Sequence, residues 1–161
     1  MSSETELDGA LEIRCLKAGD AETFAALVAE YSWEMRQTPT KLLPDVSKGI
    51  VLLEDTMAET VGAFLENQLV GFAIFFDLPE AISGGRAGQL DDLFVAPAFR
   101  GRRLARNLID AVAEIGRERG WIHLRWLVPD DNKAARQAYE RFAEAAPWKS
   151  YVLWLGDGEQ W

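Results

Sequence analysis

Four arginines, Arg100, Arg102, Arg103 and Arg106, crowd together in a chain whose formal net charge is −9. They surround Gly101, where the apolar segment Leu90-Asp91-Asp92-Leu93-Phe94-Val95 passes through Pro97-Ala98-Phe99 into an amphipathic run opening at Leu104. The first turn of a helix has backbone N–H groups without intrahelical acceptors, and the aligned peptide dipoles add partial positive charge there. A loop entering a helix in this way can hold a phosphate-bearing anion, and a glycine lets the loop backbone approach it closely. The chain has no G-x-x-x-x-G-K-[ST] and no G-x-G-x-x-G after a strand. That excludes a Walker-type NTPase and a dinucleotide-binding Rossmann unit.

Three further groups of residues could do chemistry. Asp91 and Asp92 are adjacent, and on a regular strand they point to opposite faces, although a bulge would alter that. Either carboxylate could take a proton from an amine or anchor a cation, and either could equally be a solvated edge charge. Asn132 and Tyr139 are seven residues apart, about two helical turns, so both can face one groove. Taken alone, Tyr139 reads as a core tyrosine on an apolar helix face. Trp33, Glu34 and Trp126 could line a pocket for an ammonium group, because aromatic faces and carboxylates suit one. His123 and Cys15 read as structural, and Trp148, Trp154 and Trp161 as packing or interface residues.

The elements that must position these groups follow from apolar periodicity and breakers. Leu11 to Leu16 alternates and predicts a first strand. Asp20 is placed to cap a helix with Phe24, Leu27, Val28 and Tyr31 at helical spacing, ending before Thr38-Pro39-Thr40. A second, short helical stretch is expected between Asp45 and Asp55. Val61–Glu66 and Leu69–Phe76 read as strands joined by a hairpin turn at Asn67-Gln68. Leu78 to Gly88, with a proline and three glycines, reads as a flexible loop before the Leu90–Val95 strand. Leu104, Leu108, Val112 and Ile115 define a helix that Gly120 stops. In Ile122–Val128 the spacing puts Ile122, Leu124, Trp126 and Val128 on one face, with His123 and Arg125 on the other. Pro129 ends that strand, Asp131 is expected to cap a helix carrying Ala135, Ala138, Tyr139 and Phe142, and Trp148–Leu155 is expected to close as a strand.

Composition is that of an ordinary globular domain: 48% hydrophobic and 27% charged over 161 residues. That length predicts one domain over residues 1–161, with residues 1–9 disordered. No apolar run approaches the roughly 20 residues that span a bilayer, so no membrane association is expected. The polar, acidic N-terminus is not a secretory signal, and a single cysteine fits a reducing cytoplasm. One histidine and one cysteine argue against a His/Cys metal site. Residues 1–80 hold five Lys/Arg against fifteen Asp/Glu, whereas residues 81–161 hold twelve against eleven. No basic face for nucleic acid is present. The asymmetry suits an anionic cofactor held by the C-terminal half and a cationic substrate drawn to the N-terminal half.

The run Arg100-Gly101-Arg102-Arg103-Leu104-Ala105 resembles the [Q/R]-x-x-G-x-[G/A] acetyl-CoA-binding motif of the GNAT superfamily of N-acetyltransferases. Arg103 stands where that motif has its central glycine. The preceding Leu90–Val95 is similar to the family's fourth strand, and the order β-α-α-β-β-β-α-β-α-β is the family's order. The resemblance implies the GNAT α/β fold, a mixed, mostly antiparallel sheet flanked by helices. It implies that Leu93, Phe94 and Val95 pair through their backbone with the pantetheine arm of acetyl-CoA. The pyrophosphate would lie on Arg100, Gly101, Arg102, Arg103, Leu104 and Ala105. Asn132 and Tyr139 resemble the family's N-x-x-x-x-x-x-Y element, in which Asn contacts CoA and Tyr protonates the leaving sulfur. Ala143-Glu144 departs from the Gly-Phe or Gly-Ala usual after that tyrosine. The Leu-Asp-Asp-Leu-Phe-Val run resembles diamine and polyamine acetyltransferases, with Asp91 or Asp92 as base or cation anchor. The implied function is direct transfer of acetyl to the primary amine of a small cationic molecule, by a cytoplasmic homodimer without a metal. An aminoglycoside or protein amine as acceptor, and a non-catalytic CoA-binding regulatory module, are the alternatives.

Overall fold

The computed structural model describes residues 10–156. Among these, residues 10–126 form one compact unit and residues 127–156 a second. The first nine residues, expected to be disordered, and Trp161, expected as a packing or interface residue, lie outside the described residues.

The first unit is built on a five-stranded sheet in the order β1-β2-β3-β4-β5. Its strands are β1 (Leu11–Cys15), β2 (Ala58–Leu65), β3 (Gln68–Glu80), β4 (Gly85–Val95) and β5 (Trp121–Trp126). Every neighbouring pair is antiparallel except β4 and β5, which run parallel. The helices of this unit are α1 (Ala21–Arg36), α2 (Val46–Leu53) and α3 (Leu104–Glu118). Phe24 and Leu27 of α1 pack with Phe72 and Ile74 of β3 and Phe94 of β4. Residues of opposite parity on β3 face the other way: Gly71 approaches Leu108 of α3, and Phe75 meets Trp121 edge-on with ring centroids 6.0 Å apart. The sheet is therefore covered by α1 on one face and α3 on the other.

Several local expectations need correction. The hairpin joining β2 and β3 turns at Glu66-Asn67, with φ of 49° and 67°, and pairs Leu65 with Gln68. Two consecutive left-handed residues are what a two-residue primed turn requires. The segment expected as a flexible loop from Leu78 to Gly88 is mostly strand. β3 runs to Glu80 and β4 starts at Gly85, with Pro79 opposite Arg86. Pro79 is tolerated there because the β2 ladder ends at the Ala58–Phe76 pair, so β3 beyond that point has no ladder partner on its β2 side among the described residues. The turn between them is tied down by the Glu80 carboxylate, which accepts from the backbone N–H of Ile82 (3.1 Å) and Ser83 (2.7 Å).

Asp20 does precede α1, but its carboxylate does not cap it. It accepts two hydrogen bonds from the Arg14 guanidinium (2.8 and 2.9 Å) and one from the Lys17 backbone N–H. On β5 the alternation slips: Arg86 pairs with Trp121, but Gly88 pairs with Leu124. The irregularity puts Trp121, Leu124 and Trp126 on the α3 face and leaves Ile122 52% exposed. In the second unit α4 spans Lys133–Tyr139. Its cap is Asn132 rather than Asp131, because the Asn132 Oδ1 accepts from the Ala135 backbone N–H at 3.1 Å. No strand is assigned from Trp148 to Leu155. An apolar segment becomes a strand only where a ladder partner pairs with it.

Candidate active site

β4 departs from regularity at the residues that sequence singled out. Ile74 pairs with Asp92 but Phe75 pairs with Leu90, so Asp91 is an extra residue, a β-bulge. Leu90 and Asp92 would share a face on a regular strand. The bulge sends Leu90, opposite Phe75, to the α3 side and Asp92, opposite Ile74, to the α1 side. Leu90 is buried and Asp92 half-buried. Asp91 is exposed, and its Oδ1 accepts from the Gln89 amide at 3.2 Å.

Past the bulge β4 also loses its second neighbour. Its ladder with β5 ends at the Leu90–Trp126 pair, while its ladder with β3 continues to Val95. From Asp91 to Val95 one edge of β4 thus has no strand partner among the described residues. Unpaired strand N–H and C=O groups are donors and acceptors for an extended ligand.

α1 brings two more side chains to this end of the sheet. Tyr31 donates its hydroxyl to Asp92 Oδ1 at 3.0 Å. Its ring packs 5.9 Å from Phe72 and 5.5 Å from Phe94. Glu34, one turn on, accepts from the Arg100 guanidinium with both oxygens, at 3.0 and 2.7 Å. The same guanidinium donates through Nε to the Val95 carbonyl at 2.9 Å and lies 5.6 Å from the Phe94 ring centre. Arg100 thereby joins the end of β4, the arginine loop and α1. Burial raises the Asp92 carboxyl above the ordinary range. The Tyr31 hydrogen bond opposes that rise and the Asp91 charge adds to it. Burial, reinforced by the neighbouring Asp92 charge, also pushes the Tyr31 hydroxyl up, so it stays protonated and keeps donating.

The loop that follows makes one 3-10 turn at Pro97–Phe99 before Gly101 at φ 77° and Arg103 at φ 61°, ψ 12°. Arg103 occupies the N-cap of α3 in the left-handed region, where a glycine would sit without steric cost. No heavy atom would lie within 4 Å of a Cβ at Gly101. Space for a ligand is therefore available beside the loop backbone. The other arginines have intramolecular partners: Arg106 pairs with Asp110 at 2.8 Å, and Arg102 lies 5.7 Å from the Phe99 ring centre. The backbone N–H groups at the start of α3 are donors that could meet a phosphate.

The acceptor residues read from the sequence are not gathered at one point. Trp33 donates its indole N–H to the Thr38 carbonyl at 2.8 Å and closes the C-terminal turn of α1. Trp126 shares the α3 face with Leu90, whereas Glu34 lies with Tyr31 and Asp92 on the α1 side. Tyr31 opens the stretch Tyr31-Ser32-Trp33-Glu34, which resembles the acceptor-side helix of diamine and polyamine acetyltransferases, but no role for its hydroxyl follows from the sequence. Its apolar spacing in α1 read as core, and nothing local in sequence links it to Asp92, 61 positions later. In the second unit, Asn132 caps α4 and Tyr139 ends it, half-buried, with its ring 6.2 Å from that of Phe142. Burial raises the Tyr139 hydroxyl, which favours the protonated form.

A sequence profile described as the Acetyltransferase (GNAT) family matches residues 23–143. The chain belongs to that family. This GNAT protein is an acetyl-CoA-dependent acyltransferase. It is similar to a solved ribosomal-protein-alanine N-acetyltransferase from Brucella melitensis biovar Abortus 2308. The two share 40% identity with a TM-score of 0.78, covering 91% of this chain and 100% of that one. A thialysine N-epsilon-acetyltransferase of Caenorhabditis elegans is 26% identical over 129 residues, covering 80% of this chain and 79% of its own. An aminoglycoside acetyltransferase from an uncultured soil metagenomic sample shares the fold at 20% identity and a TM-score of 0.76, covering 94% of this chain and 99% of its own.

Proposed function

We propose that this GNAT enzyme transfers acetyl from acetyl-CoA to the primary amine of a small cationic acceptor, without a covalent acyl-enzyme. The observation that carries the reading is the half-buried Asp92 carboxylate, held by Tyr31 on the α1 face beside the open edge of β4. An amine attacks only when neutral, so a carboxylate here would first anchor the ammonium and then accept its proton, directly or through water. The backbone of Leu93 to Val95 would bind the pantetheine arm and polarise the thioester carbonyl as charge develops on its oxygen. Gly101 and the N–H groups of Arg102 to Ala105 would take the pyrophosphate, with Arg100 holding the loop in place. Asn132 would contact CoA, and Tyr139, kept protonated by burial, would donate its proton to the departing sulfur. Asp91, exposed and bonded to Gln89, would add negative potential for the incoming cation.

A second reading, the N-terminal amine of a protein as acceptor, is favoured by the 40% identity to the ribosomal-protein-alanine N-acetyltransferase. Release of CoA thiol from acetyl-CoA decides between them, measured with thialysine and diamines on one side and an alanine-initiated peptide on the other. Turnover of the small amines supports the first reading, and turnover confined to the peptide supports the second. Tyr139→Phe should lower kcat by about 10²-fold or more with acetyl-CoA binding kept, given the usual contribution of a general acid. Acetyl-CoA binding with no turnover of any amine would overturn both readings.

A further inference from the structure

We propose that Tyr31 is a positioning residue, whose hydroxyl fixes the Asp92 carboxylate so that its second oxygen faces the acceptor amine. The proposal rests on the reading that Asp92 handles that amine.

The geometry distinguishes positioning from packing. The Tyr31 ring sits near-perpendicular to Phe72 (80°) and tilted by 42° on Phe94, in the cluster that joins α1 to the sheet. Those contacts fix the ring plane and the direction of the C–O bond, and a phenylalanine would make them equally well. What phenylalanine cannot supply is the hydroxyl, which donates to Asp92 Oδ1 at 3.0 Å. The carboxylate needs such a partner because the bulge at Asp91 turns Asp92 toward the interior, where a charged group loses solvation. A rotatable carboxylate in that position would sample several orientations. A fixed donor on Oδ1 selects one, and reactive groups held in one geometry need less reorganisation on the way to the transition state.

The surroundings leave this task to Tyr31. From α1, Glu34 is engaged by Arg100; from β4, Asp91 is engaged by Gln89; neither donates to Asp92. Tyr31 is the hydrogen-bond donor to the Asp92 side chain among the described residues. Because burial and the Asp92 charge both raise the Tyr31 hydroxyl, the donor does not ionise at working pH. Its bond favours the charged carboxylate and so works against the rise that burial imposes on Asp92. Removing it must move the Asp92 titration to higher pH.

The test combines Tyr31→Phe, Asp92→Asn and the double variant. The Asp92 titration is followed by carbon NMR of labelled carboxylates, a readout that does not depend on the acceptor. In Tyr31→Phe the Asp92 midpoint should rise by about one pH unit, from the worth of a hydrogen bond to a charged group. With whichever of thialysine or the alanine-initiated peptide is turned over, kcat/KM should fall about tenfold and its acid limb should move up by the same unit. Acetyl-CoA affinity should change little, because the ring contacts are kept, and the urea midpoint at neutral pH should fall only by the amount linked to the shifted titration. In the Asp92→Asn background the Tyr31 substitution should cost nothing more. An unmoved titration, or a tenfold loss that persists when Asp92 is already Asn, overturns the proposal. Full turnover in Asp92→Asn overturns instead the reading beneath it, and the two failures are told apart by that single variant.

Discussion

Arg103→Gly should make this enzyme more stable, although it deletes a charged side chain from the loop that defines the family. Arg103 sits at φ 61°, ψ 12°, the conformation in which Cβ crowds the following carbonyl. Holding a non-glycine residue there costs about 1–2 kcal/mol. Glycine removes that cost but gives back about 0.5–1 kcal/mol through the greater freedom of the unfolded chain. The net expectation is a gain of about 0.5–1 kcal/mol. For a chain of this size that corresponds to a rise in Tm of about 1–4 °C. Because the Arg103 side chain has interactions of its own, the comparison must be with Arg103→Ala, which strips the side chain yet keeps the strained φ. Urea unfolding of the three proteins measures the effect, with equal slopes showing that the unfolded states are comparable. An Arg103→Gly protein no more stable than Arg103→Ala would refute the reasoning, because the backbone would then carry no strain for glycine to relieve.

Two further substitutions probe the frame around the site. Gly88→Ala should destabilise by about 1–3 kcal/mol in urea unfolding, because a Cβ on β4 at that point would overlap the Trp121 ring; a wild-type midpoint would mean that Trp121 is not seated there. Asp20→Asn should destabilise by about 0.5–1 kcal/mol at pH 7, since Asp20 binds both Arg14 and the Lys17 N–H. These bonds, that to Arg14 foremost, depress the Asp20 carboxyl below its ordinary value. Its stabilisation is therefore present above the unfolded pKa and is lost as pH falls through the folded one. The gap between wild type and Asp20→Asn should close below about pH 4; a gap unchanged at pH 3 would contradict the assignment.

The corrections to the sequence reading share a cause. Proline and three glycines between Leu78 and Gly88 signalled a loop, but only the ladder between β3 and β4 and the missing β2 partner reveal that Pro79 can sit in a strand. Asp20 had the right residue type and place for a cap. The Arg14 guanidinium, six positions earlier on β1, takes the carboxylate instead. Trp148–Leu155 ends in the apolar run Tyr151–Leu155, and an apolar run does not by itself supply a partner edge. Arg100 shows the same dependence within the site: its guanidinium reaches Glu34, 66 positions earlier, and the Val95 carbonyl.

What the sequence determined by itself is whatever depends on neighbours along the chain. The apolar periodicity of α1 and α3, the strand before the loop, the Arg100–Ala105 motif and hence the family all belong to this class. Tertiary structure decided what depends on distant residues meeting. The bulge at Asp91 exists only in the register between β3 and β4, and it alone turns Asp92 to the α1 face. The Tyr31–Asp92 bond joins residues 61 positions apart. Arg103 stands where the motif has glycine, and whether that position demands a positive φ, with its strain, is settled only by the folded backbone. Local propensities are encoded within a few residues, whereas register, backbone sign and long-range hydrogen bonds are set only when the whole core packs.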